Sequence, residues 1–359
     1  MARPNTRRDT DDGEAADHPP PRGPVSIHDV ATAARVSIAT VSRVMNNPHL
    51  VSPKTAARVQ AVIRQIGYAP NPFAQGLVTR ASRVLGIALP DLHGEFYSEL
   101  LRGADGEARK LGYCLLVSSE HSIGGRPNGQ GGLAFGLIDG LAVMITESDG
   151  DVLRAARDMM LPTVILDTDL ANRGIDSVVI DNVPGTREAA EHLLRSTPAA
   201  RLYFVGGPQE NFDTQQRARA FVEALERAGH TPRADQVAFG AYTEEWGRRW
   251  VEGLGRAGPE GLTGVLAGND EIAIGIMRAA SDAGIGVPER MRLIGFDDTR
   301  LTTLLRPRLS AVRVPMAEVG AAAIRLLVRR VESAGAETTC VRLPTSLVVR
   351  ESSSPAPGA

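Results

Sequence analysis

After Arg83, short apolar runs rich in β-branched residues alternate with longer stretches of helical periodicity. The runs include RVLGIALP, TVILDT, SVVIDN and RLIGFDD, and the helical stretches include TREAAEHLLR and QQRARAFVEALERAG. This alternation is typical of β-α-β units, in which helices cover both faces of a parallel sheet. Because 359 residues are too many for one ordinary core, we predict an α/β core of two parallel-sheet lobes.

The region before this core has a different sequence pattern, with helical periodicity and clear signals for the start and end of helices. Ser26 followed three residues later by Asp29 predicts a capping box at the start of one short helix. Ser37 is suited to cap a second helix, and Ser52 with the proline after it opens a third, which Gly67 ends. The sequence therefore predicts an N-terminal all-α unit of three short helices.

The charge of the chain is unevenly distributed. The formal net charge is −2, but residues 25–83 contain seven Lys and Arg residues against Asp29 alone. This segment therefore carries +6, and the rest of the chain carries −8. A compact basic segment on an acidic body indicates a polyanionic partner for that segment only.

Several classes of protein are disfavoured. No apolar run approaches the roughly 20 residues of a membrane-spanning helix, and no apolar segment follows the N-terminal arginines as in a signal peptide. We therefore expect a cytoplasmic protein, associated with the nucleoid if it binds DNA. Cys114 and Cys340 lie in apolar, strand-like runs without a second Cys or clustered His nearby. We expect buried, reduced thiols, no metal site, no cofactor and no catalytic residue.

Two short helices joined by a tight turn form a helix-turn-helix, whose second helix lies in the DNA major groove with its first residues facing base edges. The residues predicted to contact DNA from this helix are Ser37, Ile38, Ala39, Thr40 and Arg43. Val41 and Val44 are expected to face the bundle, which leaves Arg43 available for a bidentate contact with guanine. The alternative is a small helical bundle with a solvated basic face.

The run VSIHDVATAARVSIATVSRVMNN, continued through NPFAQGL, resembles the DNA-binding headpiece of the lac repressor (LacI/GalR) family of bacterial transcription regulators. The motifs VLGIALPDL, DGLAVMI, AGNDEIAIGIMRAASDAGIGVPE and LIGFDD continue the resemblance in the family's order. It implies a homodimer that binds a pseudo-palindromic operator, with repression as the common outcome. It also places Ile38, Ala39 and Arg43 at the base-reading positions.

The same resemblance implies that NPFAQGL is a hinge that becomes helical only on operator DNA. Asn71 would cap this hinge helix, and Leu77 would wedge into the minor groove at the operator centre. Two positions depart from the family pattern. Gly76 lies inside the hinge helix, where glycine costs roughly 0.5–1 kcal/mol relative to alanine. Arg35 occupies a turn position that is strained if its φ is positive and offers a phosphate contact if it is not.

The core resembles periplasmic sugar-binding proteins, which hold a small ligand in the cleft between two lobes. By this match, the effector-binding positions are Phe96, Tyr97, Asp167, Gln209, Asn211, Gln215, Tyr242, Asn269 and Asp297. Aromatic faces, amides and carboxylates of this kind suit a sugar or a related metabolite. Alternatively, Asn269 simply caps the helix that follows it, and Phe96 belongs to the core.

One position bears directly on the ligand. Gln215 stands where sugar- and purine-binding members of the family carry a ligand-clamping arginine, and Arg217 is assigned to a neighbouring position. Replacement of a bidentate cation by a neutral amide removes the best partner for a carboxylate or for paired hydroxyls. The identity of the effector is therefore open, as is the choice between inducer and corepressor.

These inferences divide the chain into a disordered leader (1–24), a helix-turn-helix domain (25–70), a hinge and linker (71–83), a core (84–350) and a disordered tail (351–359). Within the core, the predicted first lobe takes about 84–182 and 313–334, and the second about 183–312 and 338–350.

Three alternatives to an allosteric repressor remain. A periplasmic binding protein explains the lobes but not the basic headpiece. An enzyme would need a nucleophile beside the adjacent acids Asp297 and Asp298, and the sequence offers no catalytic motif. A constitutive architectural DNA binder, which uses no ligand, is consistent with Gln215.

Overall fold

The computed structural model describes residues 25–68, 81–119, 137–145, 161–254, 261–333 and 335–354. The chain forms two compact units that divide between Thr79 and Arg80. The predicted leader and the hinge positions Asn71, Gly76 and Leu77 lie outside the described residues. Within the described ranges, no helix is both long enough and apolar enough to cross a membrane.

The first unit is a three-helix bundle, here called the headpiece (residues 25–68). Its helices are α1 (Ile27–Ala34), α2 (Ile38–Asn46) and α3 (Pro53–Ile66). The predicted capping box is present, with Ser26 and Asp29 each bonded to the other's backbone N–H. Gly67 ends α3 with φ 69°. The side chains of α1, α2 and α3 meet in a small core around the fully buried Val30, Val41 and Val59.

The first lobe of the second unit contains a six-stranded parallel sheet. Its elements are β1 (Val84–Leu89), β2 (Cys114–Ser119), β3 (Gly140–Met144), β4 (Thr163–Leu166), β5 (Asp176–Asp181), β11 (Cys340–Pro344), α4 (Gly94–Lys110) and α10 (Met316–Glu332). The strand order is β11-β5-β4-β3-β1-β2. Helices α4 and α10 approach so closely that a Cβ on Gly103 would lie 1.8 Å from the carbonyl oxygen of Ala317. Only glycine permits this contact at Gly103.

The second lobe contains the other six-stranded sheet, in the order β12-β10-β9-β8-β6-β7. Its strands are β6 (Leu202–Gly206), β7 (Val237–Phe239), β8 (Thr263–Ala267), β9 (Met291–Asp297), β10 (Ser310–Arg313) and β12 (Ser346–Val348). Its helices are α5 (Asn182–Leu194), α6 (Phe212–Arg227), α7 (Glu244–Gly253), α8 (Asp270–Asp282) and α9 (Leu301–Leu304). Strand β12 runs antiparallel to β10, and the remaining pairs are parallel.

The central strands explain why the sequence forms these sheets. Every residue of β1, β3 and β8 is buried, as expected for parallel strands that are covered by helices on both faces. Such strands appear in sequence as continuous apolar runs, which is the pattern that predicted them. The predicted fold class, a helical headpiece followed by two parallel-sheet lobes, is confirmed.

One lobe assignment is wrong. Residues 338–350 were predicted to lie in the second lobe, but β11 pairs in parallel with β5 as an edge strand of the first sheet. Asp176 at the start of β5 accepts hydrogen bonds from Thr339 N at 2.7 Å and from Arg329 Nη2 at 2.8 Å. These bonds hold the segment that precedes β11 against the first lobe. The chain enters the second lobe again only at β12.

The predicted disordered tail begins too early. Residues Glu351–Ser353 form a short 3-10 helix against the second sheet, and Ser352 and Ser353 are buried. Ser352 Oγ accepts a hydrogen bond from Ser310 N at 2.8 Å and donates one to Leu293 O at 2.6 Å. Small polar side chains therefore satisfy backbone groups of the sheet, a role that composition alone does not reveal. Residues 355–359 lie outside the described residues.

The expectation of buried thiols is also wrong. Both cysteines are free, but Cys114 is exposed and Cys340 is half-buried. The reason is topological, because β2 and β11 are the two edge strands of the first sheet. An apolar, strand-like run does not distinguish an edge strand from a central one.

Candidate functional site

Helix α2 presents one set of side chains to solvent and buries another. Ser37 caps the helix, with its Oγ accepting from Thr40 N at 3.2 Å. Val41 and Val44 are buried in the bundle. Ser37, Ile38, Ala39 and Arg43 are exposed, and Thr40 is half-buried. The structure therefore brings the five predicted DNA-contact residues of this helix to its first turns, clear of the headpiece core.

The turn before α2 settles the question that Arg35 raised. Arg35 has φ 52° and ψ 51°, the left-handed conformation, and its N–H bonds back to the last turn of α1. Residues with a Cβ pay roughly 1–2 kcal/mol for this conformation. The strained alternative is therefore the one that the structure adopts. Arg35 remains exposed, so its guanidinium is still accessible to a phosphate.

A cavity of about 430 Å³ lies between the two lobes of the second unit. The carboxyl ends of parallel strands surround it, as is usual for ligand sites in sheets of this class. From the first lobe, Pro90, Met144 and Asp167 follow or end β1, β3 and β4. From the second lobe, Asn269 follows β8 and Asp297 ends β9.

Seven of the nine predicted effector positions line this cavity. They are Phe96, Tyr97, Asp167, Asn211, Tyr242, Asn269 and Asp297. The rings of Phe96 and Tyr97 meet edge to face with their centroids 5.2 Å apart. Asn269 serves both of its suggested roles, because its Oδ1 caps α8 by accepting from Ile272 N at 2.9 Å. Their part in ligand binding stays a prediction.

The other two positions, Gln209 and Gln215, are outside the cavity wall. Both are exposed, and Gln215 Nε2 donates to the carbonyl oxygen of Gln209 at 3.0 Å. Their assignment as effector-binding residues is therefore not supported by their position. The predicted replacement of the ligand-clamping arginine by Gln215 is not supported either, because an arginine lines the cavity at position 217.

Arg217 is the arginine of the cavity. Its side chain is only 4% exposed and lines the cavity wall. A helix turns about 100° per residue, so the step of two residues from Gln215 to Arg217 is a rotation of about 200° and places the two side chains on nearly opposite faces of α6. Arg217 shares the buried face with Phe221 and Ala224, a spacing of four and seven residues. This periodicity was visible in the sequence and would have identified Arg217.

The guanidinium of Arg217 is held by three partners. Nε donates to Asn182 Oδ1 at 2.8 Å, Nη1 to Gly268 O at 2.6 Å, and Nη2 lies 3.5 Å from Asp213 Oδ2. Its plane also lies over the ring of Phe296, 3.7 Å from the centroid. Stacking and hydrogen bonds together fix the orientation of the cation.

Five acids that were not among the predicted effector positions also line the cavity, and two of them, Asp213 and Asp270, are buried. Asp213 accepts from Asn182 Nδ2 at 2.7 Å, and Asp270 Oδ2 accepts from Thr299 N at 2.7 Å and Thr299 Oγ1 at 2.9 Å. Asp270 directly follows Asn269 at the end of β8, so its position in the sequence was a usable signal. For Asp213, the sequence offers no signal beyond its position four residues before Arg217.

Burial dominates the electrostatics of the cavity. Burial, with a smaller contribution from Asp213, holds the pKa of Asp167 well above its usual value. Burial likewise raises the pKa of Asp297 to about 7, although Arg217 opposes the shift. The pKa of Asp270 is raised by burial and then by Asp297. Part of this carboxyl cluster is therefore protonated near neutral pH.

The backbone is strained where two of these acids stand. Asp167 has φ 70° and Asp297 has φ 103°, both in the region that favours glycine. Residues held in such conformations are concentrated at functional sites, where the surrounding structure maintains them. Asp298 follows with φ 59°, and its carboxylate is held by Arg313 at 2.7 Å and Arg350 at 2.6 Å. These acids end or follow strands β4 and β9, which carry their side chains into or beside the cavity.

Two family models match the chain. The model described as bacterial regulatory proteins, lacI family, matches residues 26–71. The model described as periplasmic binding protein-like domain matches residues 190–353. The first match coincides with the headpiece and the start of the predicted hinge, and the second with most of the second lobe.

Curated relatives match over nearly the full length. Catabolite control protein A of Priestia megaterium is 31% identical, with the alignment covering 91% of this chain and 99% of the relative. The same protein of Staphylococcus xylosus is 32% identical, covering 91% of this chain and 98% of the relative. The conserved length therefore includes the headpiece as well as both lobes.

Solved structures match in the same way. The lac repressor dimer bound to operator and the anti-inducer ONPF superposes with a TM-score of 0.79 at 26% identity, covering 92% of this chain and 99% of that one. The transcriptional regulator CelR in complex with cellobiose gives a TM-score of 0.67 at 26% identity, covering 91% and 99%. With relatives more than 30% identical over almost the whole of both chains, this chain belongs to the lacI family of bacterial regulatory proteins.

Proposed function

We propose that this chain is a sequence-specific transcriptional repressor that binds a pseudo-palindromic operator as a homodimer and is controlled by a small molecule in the interlobe cavity. The observation that carries the proposal is the exposed face of α2, where Arg43 stands clear of the bundle beside a capped first turn. The same chain contains a cavity of ligand size in its second unit.

The headpiece supplies the chemistry for base recognition. Exposed Ile38 and Ala39 are apolar and suit thymine methyl groups, and Arg43 suits the O6 and N7 acceptors of guanine. The buried Val41 and Val44 fix the helix rotation, so that these side chains leave from one face. The excess of basic residues in the headpiece supplies attraction to phosphates that is independent of sequence.

A dimer follows from the geometry of this kind of recognition. One helix-turn-helix reads a single half-site, and two half-sites related by symmetry need two headpieces. The lac repressor structure with operator is a dimer, and the likeness over 92% of this chain supports the same assembly here. The predicted roles of Asn71 and Leu77 in a hinge at the operator centre are part of this proposal.

The cavity is the proposed effector site. Its walls come from both lobes, so a ligand that contacts both walls stabilises the closed arrangement and shifts the balance between conformations that bind operator and conformations that do not. The CelR complex holds cellobiose, which supports a sugar or related metabolite as the class to test first. The cavity itself, which has walls from both lobes, supports a ligand-controlled regulator over a DNA binder that uses no ligand.

We propose no catalytic activity and place the protein in the cytoplasm, at the nucleoid. Among the described residues that line the cavity there is no Ser, Cys or Lys, and the two threonines have structural roles, Thr243 as the cap of α7 and Thr299 as a donor to Asp270. Nor does any group of three His, Cys, Asp or Glu residues in the described ranges have an arrangement that could hold a metal ion.

The test is fluorescence anisotropy with a palindromic operator taken from the protein's own promoter, at moderate salt. We expect selective binding by the wild type, loss of about 1–3 kcal/mol of sequence discrimination in Arg43→Ala, and weaker binding in Leu77→Ala. Arg43→Lys is the matched control, because it keeps the charge but not the bidentate geometry. It should retain phosphate attraction and still lose discrimination.

Equal weak binding by the wild type, Arg43→Ala and Leu77→Ala, falling steeply with salt, would contradict the proposal. That pattern indicates attraction to phosphates alone, with no base recognition by α2 and no contribution from the hinge.

A further inference from the structure

The wall of the interlobe cavity is strongly acidic. Seven carboxyl side chains line it, against His93 and Arg217 as the only basic groups among the described lining residues. His93 is almost fully exposed, and its ring is hydrogen-bonded to Asp91. Among the described lining residues, the charge of the enclosed part of the cavity is therefore set by the carboxylates and by Arg217.

Arg217 is already engaged by the protein. All three nitrogens of its guanidinium have partners in Asn182, Gly268 and Asp213, and one of its faces is covered by Phe296. A ligand phosphate or carboxylate would have to compete with these contacts for the enclosed cation that the described part of the wall supplies. It would also bring further negative charge among buried acids.

Most of the acids have hydrogen-bond donors of their own. Glu95 accepts from Arg300 N at 2.7 Å, Asp213 from Asn182, and Asp270 from Thr299. Asp167 and Asp297 differ. No described group donates to the carboxylate of Asp167, whose Oδ1 is buried without a hydrogen-bond partner as Asp270 Oδ1 also is, or to that of Asp297, a residue that is only 8% exposed.

These two acids come from opposite walls. Asp167 follows β4 in the first lobe, and Asp297 ends β9 in the second. They line the same cavity, and Asp297 is close enough to contribute to the raised pKa of Asp167. When both acids are ionised, their like charges face each other across the cleft and disfavour closure of the lobes. A positive charge between them removes that repulsion and also compensates their burial.

Other groups at the cavity suit hydroxyls. Asn211 and Asn269 both use their Oδ1 atoms as helix caps, and neither Nδ2 group donates to an acceptor within the described residues. These two amides are therefore available to donate to hydroxyl oxygens. The rings of Tyr97 and Tyr242 provide faces for an aliphatic ring or for a cation.

We propose that the effector is a small hydroxylated amine of the amino-sugar type, whose ammonium group lies between the carboxylates of Asp167 and Asp297. This inference rests on the proposed function and assigns the charge class of the ligand at that site. Because the ammonium contacts one carboxylate from each lobe, its binding energy is realised most fully in the closed arrangement. The amine thereby couples to lobe closure, whereas an anionic sugar derivative is excluded.

The experiment is titration calorimetry of the full-length protein with matched ligand sets. Each set contains a hexose, its 2-amino-2-deoxy form, the N-acetyl derivative of that amine and the hexose 6-phosphate, for several hexose stereochemistries. For at least one stereochemistry, we expect the amine to bind at least about tenfold more tightly than the parent hexose. N-acetylation, which removes the charge, should abolish this gain, and the phosphate should bind most weakly.

Variants assign the effect to the two acids. Asp167→Asn and Asp297→Asn keep the shape of the side chain and remove its charge, so each should lower the affinity for the amine towards that for the parent hexose. Asp235→Asn is the control, because Asp235 is an exposed acid that pairs with Arg233 on the surface. It should leave the preference for the amine unchanged.

Three outcomes overturn the inference: a parent hexose that binds as tightly as its amine in every set, a phosphate that binds most tightly, or no binding by any amine in the millimolar range. Operator binding by the same preparations is measured in parallel without ligand. If selective operator binding persists while the preference for the amine fails, only the ligand class is wrong. If operator binding itself is absent, the proposed function fails.

Discussion

The headpiece and the interlobe cavity are opposite solutions to recognition. The headpiece presents exposed side chains from a single helix, and its charge is positive. The cavity assembles side chains from strand ends far apart in the sequence, and its wall is acidic, with Asp213, Asp270 and Asp297 buried. The first site depends on charges in water, which salt weakens, and the second on charges removed from water, which must be compensated locally.

The contrast explains the distribution of charge along the chain. A net charge of −2 conceals a headpiece and linker at +6 and a remainder at −8. A polyanion is attracted to the first region and repelled by the second. The acidic core therefore favours orientations in which only the headpieces meet the DNA.

The largest expected effect comes from removing the buried cation. Arg217→Met should destabilise the core by about 3–5 kcal/mol, because it leaves Asp213 and its neighbours as buried acids without their cation. The measurement is urea denaturation followed by tryptophan fluorescence, since Trp246 and Trp250 lie in the same lobe. Arg219→Met is the matched control on the same helix, because Arg219 is exposed.

Arg219→Met should change the free energy of unfolding by less than about 0.5 kcal/mol. Equal destabilisation by the two substitutions would mean that the burial of Arg217 and its three partners contributes nothing particular. Exposed charges such as that of Arg219 and buried, paired charges such as that of Arg217 would then contribute equally to stability, contrary to the comparison made above.

A smaller effect should appear as pH dependence of the core. Asp297 has a pKa raised to about 7 by burial, so the folded state binds its proton more tightly than the unfolded state does. Its contribution to stability is fully present below about pH 4, the ordinary value for an aspartate, and is lost as pH rises through 7. The slope is at most of order 1 kcal/mol per pH unit.

The comparison of Asp297→Asn with wild type isolates this contribution. Half-buried His192, whose pKa is lowered by burial, acts in the opposite direction over part of the same range and is present in both proteins. We expect the variant to gain stability relative to wild type between pH 5 and pH 7, measured by urea denaturation. The difference in unfolding free energy between wild type and the exposed control Asp235→Asn should not change with pH. If the difference between wild type and Asp297→Asn is also independent of pH, the pKa of Asp297 is not raised in the folded protein.

The two regions also differed in how well the sequence predicted them. Helix boundaries, caps and the exposed face of α2 followed from local signals, because each involves residues within a few positions of each other. In the core, apolar runs predicted the strands, but pairing of β11 with β5 joins residues more than 160 positions apart. No local pattern specifies such a partner.

The assignment of the ligand-clamping position to Gln215, and not to Arg217, has a different origin. Alignment to a family pattern was given more weight than the helical periodicity that groups Arg217 with Phe221 and Ala224. Seven of the nine predicted cavity positions were nevertheless placed in the wall, because strand ends converge in any sheet of this topology. The hydrogen bonds and the cation that offset the burial of the acids could not be predicted, because they depend on distances between residues of separate helices and strands.

The smallest expected effect belongs to the headpiece and concerns backbone strain. Arg35 has φ 52°, and replacing it with glycine relieves the Cβ clash while adding entropy to the unfolded chain. We expect Arg35→Gly to stabilise the headpiece by about 0.5–1 kcal/mol in thermal unfolding monitored by circular dichroism. Arg35→Ala keeps the Cβ and should not stabilise the headpiece.

Both variants lose a cation, so both should weaken operator binding slightly and reduce its salt dependence by about one phosphate contact. If both variants stabilise the headpiece, the charge of the Arg35 side chain, and not the backbone strain, destabilises the wild type. The headpiece would then resemble the core, where buried charges need a partner of opposite sign.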